Sequence, residues 1–123
     1  MNVGRVSSAA LMLSGLAGVL TPEKVAASLH LPATSARGIA ETRAGLGGTY
    51  AALGAWALLS GDRTAQRAVG VTWLGAAGAR IGALVVDRPR TDWTYWAYLA
   101  TEVTLGAAAL GLGGRRSERA AQL

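Results

Sequence analysis

The chain has 123 residues, of which 51% are hydrophobic and 15% charged, with a positive mean hydropathy; it is too apolar for an ordinary soluble domain of this length. It has no cysteine, which excludes disulfide staples, thiolate metal sites and dithiol redox chemistry. The net charge of +5 invites a nucleic-acid reading, but the arginines stand at the ends of apolar runs rather than along one polar helix face, so membrane flanking accounts for them better and no nucleic-acid partner is expected.

Residues 1–20 carry one charge, Arg5, followed by a mostly apolar run. A secretory leader with a basic start has the same layout, and Ala26 and Ala27 would supply small residues for cleavage. Nothing downstream reads as a secreted domain, so a first spanning helix over about residues 4–20 is preferred, with Arg5 snorkelling to the interface. Pro22 stops that helix, and Glu23 suits the first turn of the next. Residues 23–31 set Val25 and Leu29 against Glu23, Lys24 and Ser28, the pattern of a short amphipathic helix lying at the interface. His30, the single histidine, has no second ligand nearby, so no metal site is expected.

The second run, about residues 40–60, opens with Glu41 and Arg43. Two apart on a helix, they point in different directions; Arg43 is placed to look inward while Glu41 caps the start, although both also suit plain interfacial flanks. Gly47, Ala51 and Ala55, with Gly48 and Ala52, then give small residues every fourth position, the spacing that lets helices approach closely in lipid. Tyr50 is expected to face a polar partner or a cavity, and Trp56 to anchor near the far boundary. The short link 61–64 makes the next span, about residues 66–86, an antiparallel neighbour. Gly78 and Gly82 in it form a further small-residue pair, of weak diagnostic value.

The third and fourth runs carry the argument about function. Residues 68–86 hold a single ionisable residue, Arg80, and residues 93–113 a single one, Glu102. Each run is long enough to cross a hydrocarbon core of ~30 Å at ~1.5 Å per residue. Between them, Asp87, Arg88, Pro89, Arg90, Thr91 and Asp92 predict a turn and hence an antiparallel hairpin. Counted from it, Arg80 lies roughly 10 Å deep and Glu102 roughly 15 Å, so the two can meet. An unpaired charge at that depth costs roughly 2.5 to 3.5 kcal/mol on insertion scales, which argues that they do. Trp93, Tyr95 and Trp96 read as an interfacial aromatic belt, and Tyr95, Tyr98 and Glu102 share one helix face. A basic tail, 114–123, carries Arg115, Arg116 and Arg119.

The reading is therefore an all-α fold: one integral membrane domain over residues 1–123, a transmembrane four-helix bundle with a short interfacial helix after the first span. The termini and second link carry six arginines against four basic residues on the other side (Lys24, Arg37, Arg88 and Arg90), which places both termini in the cytoplasm. Arg43, Arg80, Tyr98 and Glu102 then fall in the half of the bundle nearest the first and third links, where one polar cavity can form.

Pro22-Glu23 after the first span, Arg43 with Gly47, Gly48 and Tyr50, Gly78-Ala79-Arg80, Asp87 with Pro89, and the single Glu102 together resemble a group of small bacterial four-helix membrane proteins. That group is a domain of unknown function, related in plan to the DoxX-like membrane proteins. The resemblance covers most of the chain and implies the four-span fold in the bacterial inner membrane, but no activity. By position, Arg43, Arg80, Asp87 and Glu102 are its family-like polar residues.

Two functions compete with a purely structural Arg80–Glu102 pair that fixes helix register. The preferred one is a protein with a charged intramembrane pocket that binds an amphipathic or lipid-like small molecule, or that acts as an accessory subunit of a larger membrane complex. Arg43, Tyr50, Arg80, Asp87, Tyr95, Tyr98 and Glu102 are its candidate ligand-binding residues. The alternative is a membrane-embedded acid/base enzyme of isomerase, epoxide-opening or cyclase type. There Glu102 would be the general acid, and Arg80 and Tyr98 would orient substrate or stabilise charge. Proton-coupled export fits less well, because arginines accompany the carboxylate. No phosphate loop or ligand cluster points to a cofactor or metal, and the small-residue faces permit self-association without specifying it.

Overall fold

The computed structural model describes residues 3–111; the basic tail and the last positions of the fourth run lie outside them. Among the described residues every regular element is a helix, with no strand. Helix α1 spans Val3–Leu20, α2 Pro22–Ser28 and α3 Ala36–Thr42; a π-helical segment, Arg43–Gly48, leads into α4, Thr49–Ser60; α5 spans Arg63–Val86 and α6 Trp93–Ala109.

The boundaries follow local chemistry. Pro22 takes the first turn of α2, where its missing N–H costs nothing. The Ser35 hydroxyl caps α3 by accepting from the Gly38 N–H at 3.0 Å. Gly61, at φ 65°, turns the chain out of α4 in a conformation that a side chain would resist. Asp62 then caps α5 through the Thr64 N–H at 3.1 Å. Asp92 caps α6, accepting from the backbone N–H groups of Thr94 and Tyr95 at 3.1 and 3.2 Å and from the Thr94 hydroxyl.

The second run continues helically from α3 to α4 through the π segment rather than as one regular α-helix. Its sequence, Arg-Ala-Gly-Leu-Gly-Gly, is weak in helix propensity. The widened turn is closed by Thr49, whose N–H and hydroxyl both reach the Ala44 carbonyl five residues back, the hydroxyl at 3.1 Å.

Helix α1 packs along the π segment and α4, α5 packs on α6, and contacts of α1 with α6 and of α4 with α5 close the ring. Glycine permits the closest approach. A Cβ on Gly15 would strike the backbone of Ala51 and the carbonyl of Gly47, and one on Gly54 would strike the backbone of Met12 and the Ser8 carbonyl. The spacing expected of Gly47 and Ala51 is thus used against α1. Gly78 and Gly82 are not: nothing lies within 4 Å of where their Cβ atoms would be. Ser7 and Trp73 tie the end near the termini, with the Ser7 hydroxyl donating to the Leu105 carbonyl at 2.8 Å and the Trp73 indole N–H directed at the Ser7 carbonyl at 3.5 Å.

The buried core is small-residued, with Leu11 and Val69 its largest apolar members beside Ala57, Ala65 and Ala109. Large apolar side chains instead face outward, among them Leu13, Leu59, Val71, Ile81, Val85 and Trp93. Two helices, α1 and α5, are long and apolar enough to cross a membrane, and only 33% and 17% of their apolar windows are buried.

Candidate functional site

The α5–α6 hairpin brings together what the sequence set 22 positions apart. The Arg80 Nε donates to both Glu102 oxygens, at 3.0 and 3.2 Å, and Nη2 donates to Oε1 at 2.8 Å. Such a forked contact holds both groups in one plane. Glu102 is buried, whereas the Arg80 side chain keeps 22% of its surface. Two tyrosines one helical turn apart flank the guanidinium, with ring centres 5.2 Å (Tyr95) and 5.4 Å (Tyr98) from Arg80 Cζ, within reach of cation–π attraction. Tyr95 also donates its hydroxyl to the Arg80 carbonyl at 2.6 Å.

This cluster divides two cavities. The inner one, about 400 Å³, lies between the α1/α4 and α5/α6 pairs, with Leu11, Val25, Leu46, Trp73 and Leu105 forming apolar wall and Tyr50, Arg80, Tyr98 and Glu102 supplying polar atoms. The outer one, about 250 Å³, is bounded by Ser28, His30, Pro89, Arg90, Asp92 and Tyr95. Arg80, Tyr98, Ser28 and Leu29 border both.

Helix α2 is held over this boundary. Ser28 and Tyr98 share a 2.9 Å hydrogen bond, and His30 Nε2 stands 3.5 Å from Asp92. The Ser28 proton goes to the Val25 carbonyl, at 2.7 Å, so Tyr98 is the donor to Ser28. Asp92 itself, its carboxylate accepting from the Thr94 hydroxyl and then the Tyr95 N–H, is held below the usual carboxylate range.

Of the seven sequence-derived candidates, Tyr50, Arg80, Tyr98 and Glu102 line the inner cavity and Tyr95 the outer one. Arg43 and Asp87 line neither. Arg43 is exposed and donates through Nη1 to the Val19 carbonyl in the last turn of α1, where a cation complements the helix dipole. Its expected inward direction is thereby corrected. Glu41 pairs with Arg37 one turn earlier, at 2.5 Å. Asp87 is the exposed C-cap of α5. Ser28, Trp73, Thr72 and Thr101 also line the inner cavity, and sequence reasoning missed them. Ser28 showed only as the polar face of an amphipathic segment, with nothing to say that the segment folds onto α6. Among the described residues no cluster of His, Asp and Glu is arranged to hold a metal ion.

Searches of curated proteins and of solved structures return no match. The family described as Domain of unknown function (DUF4345) matches residues 3–112, nearly the whole chain, and the chain belongs to that family.

Proposed function

We propose that the protein is a four-span integral membrane protein whose inner cavity binds an amphipathic small molecule. The carrying observation is the Arg80–Glu102 pair, which sits at one end of an otherwise largely apolar cavity of about 400 Å³, within the size range of small-molecule sites. The membrane reading is supported by the inverted distribution of side chains, small inside and large apolar outside. It is also supported by two helices of spanning length that are mostly unburied, unlike the core helices of a soluble protein. On this reading the π segment with α4, and α6, complete the four spans, and α2 lies at the interface over the polar end of the cavity. The plan is DoxX-like, the compartment is a bacterial inner membrane, and the arginine asymmetry puts the termini in the cytoplasm.

Binding is favoured over acid catalysis by one detail. Both Glu102 oxygens accept from Arg80, so a proton-donating Glu102 would first have to part from its partner. An intramembrane ion pair bordering a cavity is more economically a head-group anchor. An accessory role beside a larger complex is compatible with the same site.

Native mass spectrometry of protein gently extracted from its own membrane tests this. The expected result is a bound small molecule in the wild type that disappears in Glu102→Gln and Arg80→Ala while the helical fold survives. A ligand-free wild type, with both variants unfolding, would reduce the pair to a structural brace.

A further inference from the structure

The charge balance of the cavity points to the chemical class of its ligand, on the reading that the cavity is a binding site. We infer that it takes an uncharged amphipath with an oxygen head, a hydroxyl or carbonyl on a hydrocarbon tail, and discriminates against carboxylates, phosphates and amines. Among the described residues, Arg80 and Glu102 are the only charged ones lining the inner cavity, and they neutralise each other through three hydrogen bonds. A third charge, of either sign, would leave the site with a net charge where water is scarce, and a desolvated unpaired charge is heavily penalised. A carboxylate able to take Arg80 from Glu102 would merely transfer the unpaired charge to Glu102.

The pair still has hydrogen-bonding capacity to offer a neutral head. Nε and Nη2 of Arg80 are occupied by Glu102, while Nη1 makes no hydrogen bond among the described residues. The Tyr98 hydroxyl donates its proton to Ser28, and its oxygen keeps its lone pairs. The Tyr50 hydroxyl, also on the cavity wall, makes no side-chain hydrogen bond among the described residues. A carbonyl oxygen satisfies one such donor, and a hydroxyl can in addition donate to the Tyr98 oxygen. Leu11, Val25, Leu46, Trp73 and Leu105 provide an apolar wall for the tail.

Trp73 lines the cavity whereas Trp56, Trp93 and Trp96 are exposed, which makes the test direct. The full chain carrying Trp56→Phe, Trp93→Phe and Trp96→Phe is placed in lipid nanodiscs at neutral pH. It is titrated with 10-bromodecan-1-ol, 10-bromodecanoate and 10-bromodecylamine, whose bromine quenches indole fluorescence. Partitioning into protein-free discs is measured for each, so that affinities are compared at equal membrane concentration. The expected result is saturable Trp73 quenching by the alcohol at about tenfold lower membrane concentration than by either charged ligand, a modest ratio for one uncompensated charge. Adding Glu102→Gln should move the preference to the carboxylate, because Arg80 then lacks its counter-charge. A wild-type preference for the carboxylate or the amine would overturn selection by charge balance while leaving the cavity a binding site. No saturable quenching by any of the three would overturn the binding reading with it. The wild-type ranking decides the matter even if Glu102→Gln fails to fold.

Discussion

The two halves of the ring differ in how far their helices are joined through backbone. Helices α1 and α4 meet through backbone, with Gly15 and Gly54 so close to the facing chain that a single added carbon collides with it. Helices α5 and α6 also touch through glycine near the termini, where Gly106 lies against Leu74. Toward the opposite end they are joined by long polar side chains, Arg80 with Glu102 and the two tyrosines. Close backbone packing leaves no interior volume, whereas long side chains hold helices at a distance and leave room beside them. The cavity therefore borders the polar joint, and the glycine-packed pair forms its rigid back wall.

The largest effect is expected from filling the closed half. Gly15→Leu places side-chain atoms against the backbone of Ala51 and Gly47, which cannot withdraw without displacing the whole of α4. Overpacking typically costs 1–3 kcal/mol and occasionally more; because the obstacle here is backbone, about 5 kcal/mol is expected for this variant. Thermal unfolding in detergent should show a large drop in Tm or no recoverable folded protein. A near-wild-type Tm would mean that α1 and α4 are not so closely joined.

The polar joint should respond differently, because it can be replaced as a unit. Removing one member of a buried pair costs about 3–5 kcal/mol; with 22% of the Arg80 side chain exposed, about 2–4 kcal/mol is expected for Arg80→Met or Glu102→Leu alone. Arg80→Met combined with Glu102→Leu leaves no charge stranded and should recover to within about 1 kcal/mol of wild type. Measured as a double-mutant cycle, that recovery separates folding from binding. A stable double variant that retains no ligand assigns the pair to the site, and one that still carries ligand assigns the pair to helix register alone.

How much of this was legible in the sequence also divides by region. The α5–α6 hairpin could be read because each run held one charge and a charged, proline-containing turn fixed where counting starts; Arg80, Tyr95, Tyr98 and Glu102 meet as helical arithmetic says. The second run misled at Arg43. Seven residues separate Arg43 from Tyr50, nearly two regular turns, so a uniform α-helix puts both on one face. The π segment inserts an extra residue into that turn, an offset of about 100°. Tyr50 accordingly faces the cavity and Arg43 does not. Three glycines in six residues hint at irregularity, but no local pattern specifies a π turn, and the α1 backbone that lies against Gly47 is far away in sequence. The placement of α2 over α6 was hidden for a similar reason. It rests on Ser28 with Tyr98 and His30 with Asp92, pairs about 60 to 70 positions apart in which neither residue announces the other.

The smallest expected effect sharpens the comparison by holding the residue type constant. Gly78 and Gly82 lie on α5, in the same small-residue spacing that closes α1 on α4, yet nothing stands within 4 Å of either. Gly78→Ala and Gly82→Ala should therefore leave Tm unchanged or raise it, since alanine is better than glycine in a helix by about 0.5–1 kcal/mol and meets no obstacle. Spacing alone would treat these glycines as equivalent to Gly47 and Ala51; the ring of helices does not. A loss of more than about 1 kcal/mol from either substitution, a typical overpacking penalty, would show that the outer face of α5 is packed against another copy of the chain. It would then be a second glycine-closed joint, between molecules rather than within one.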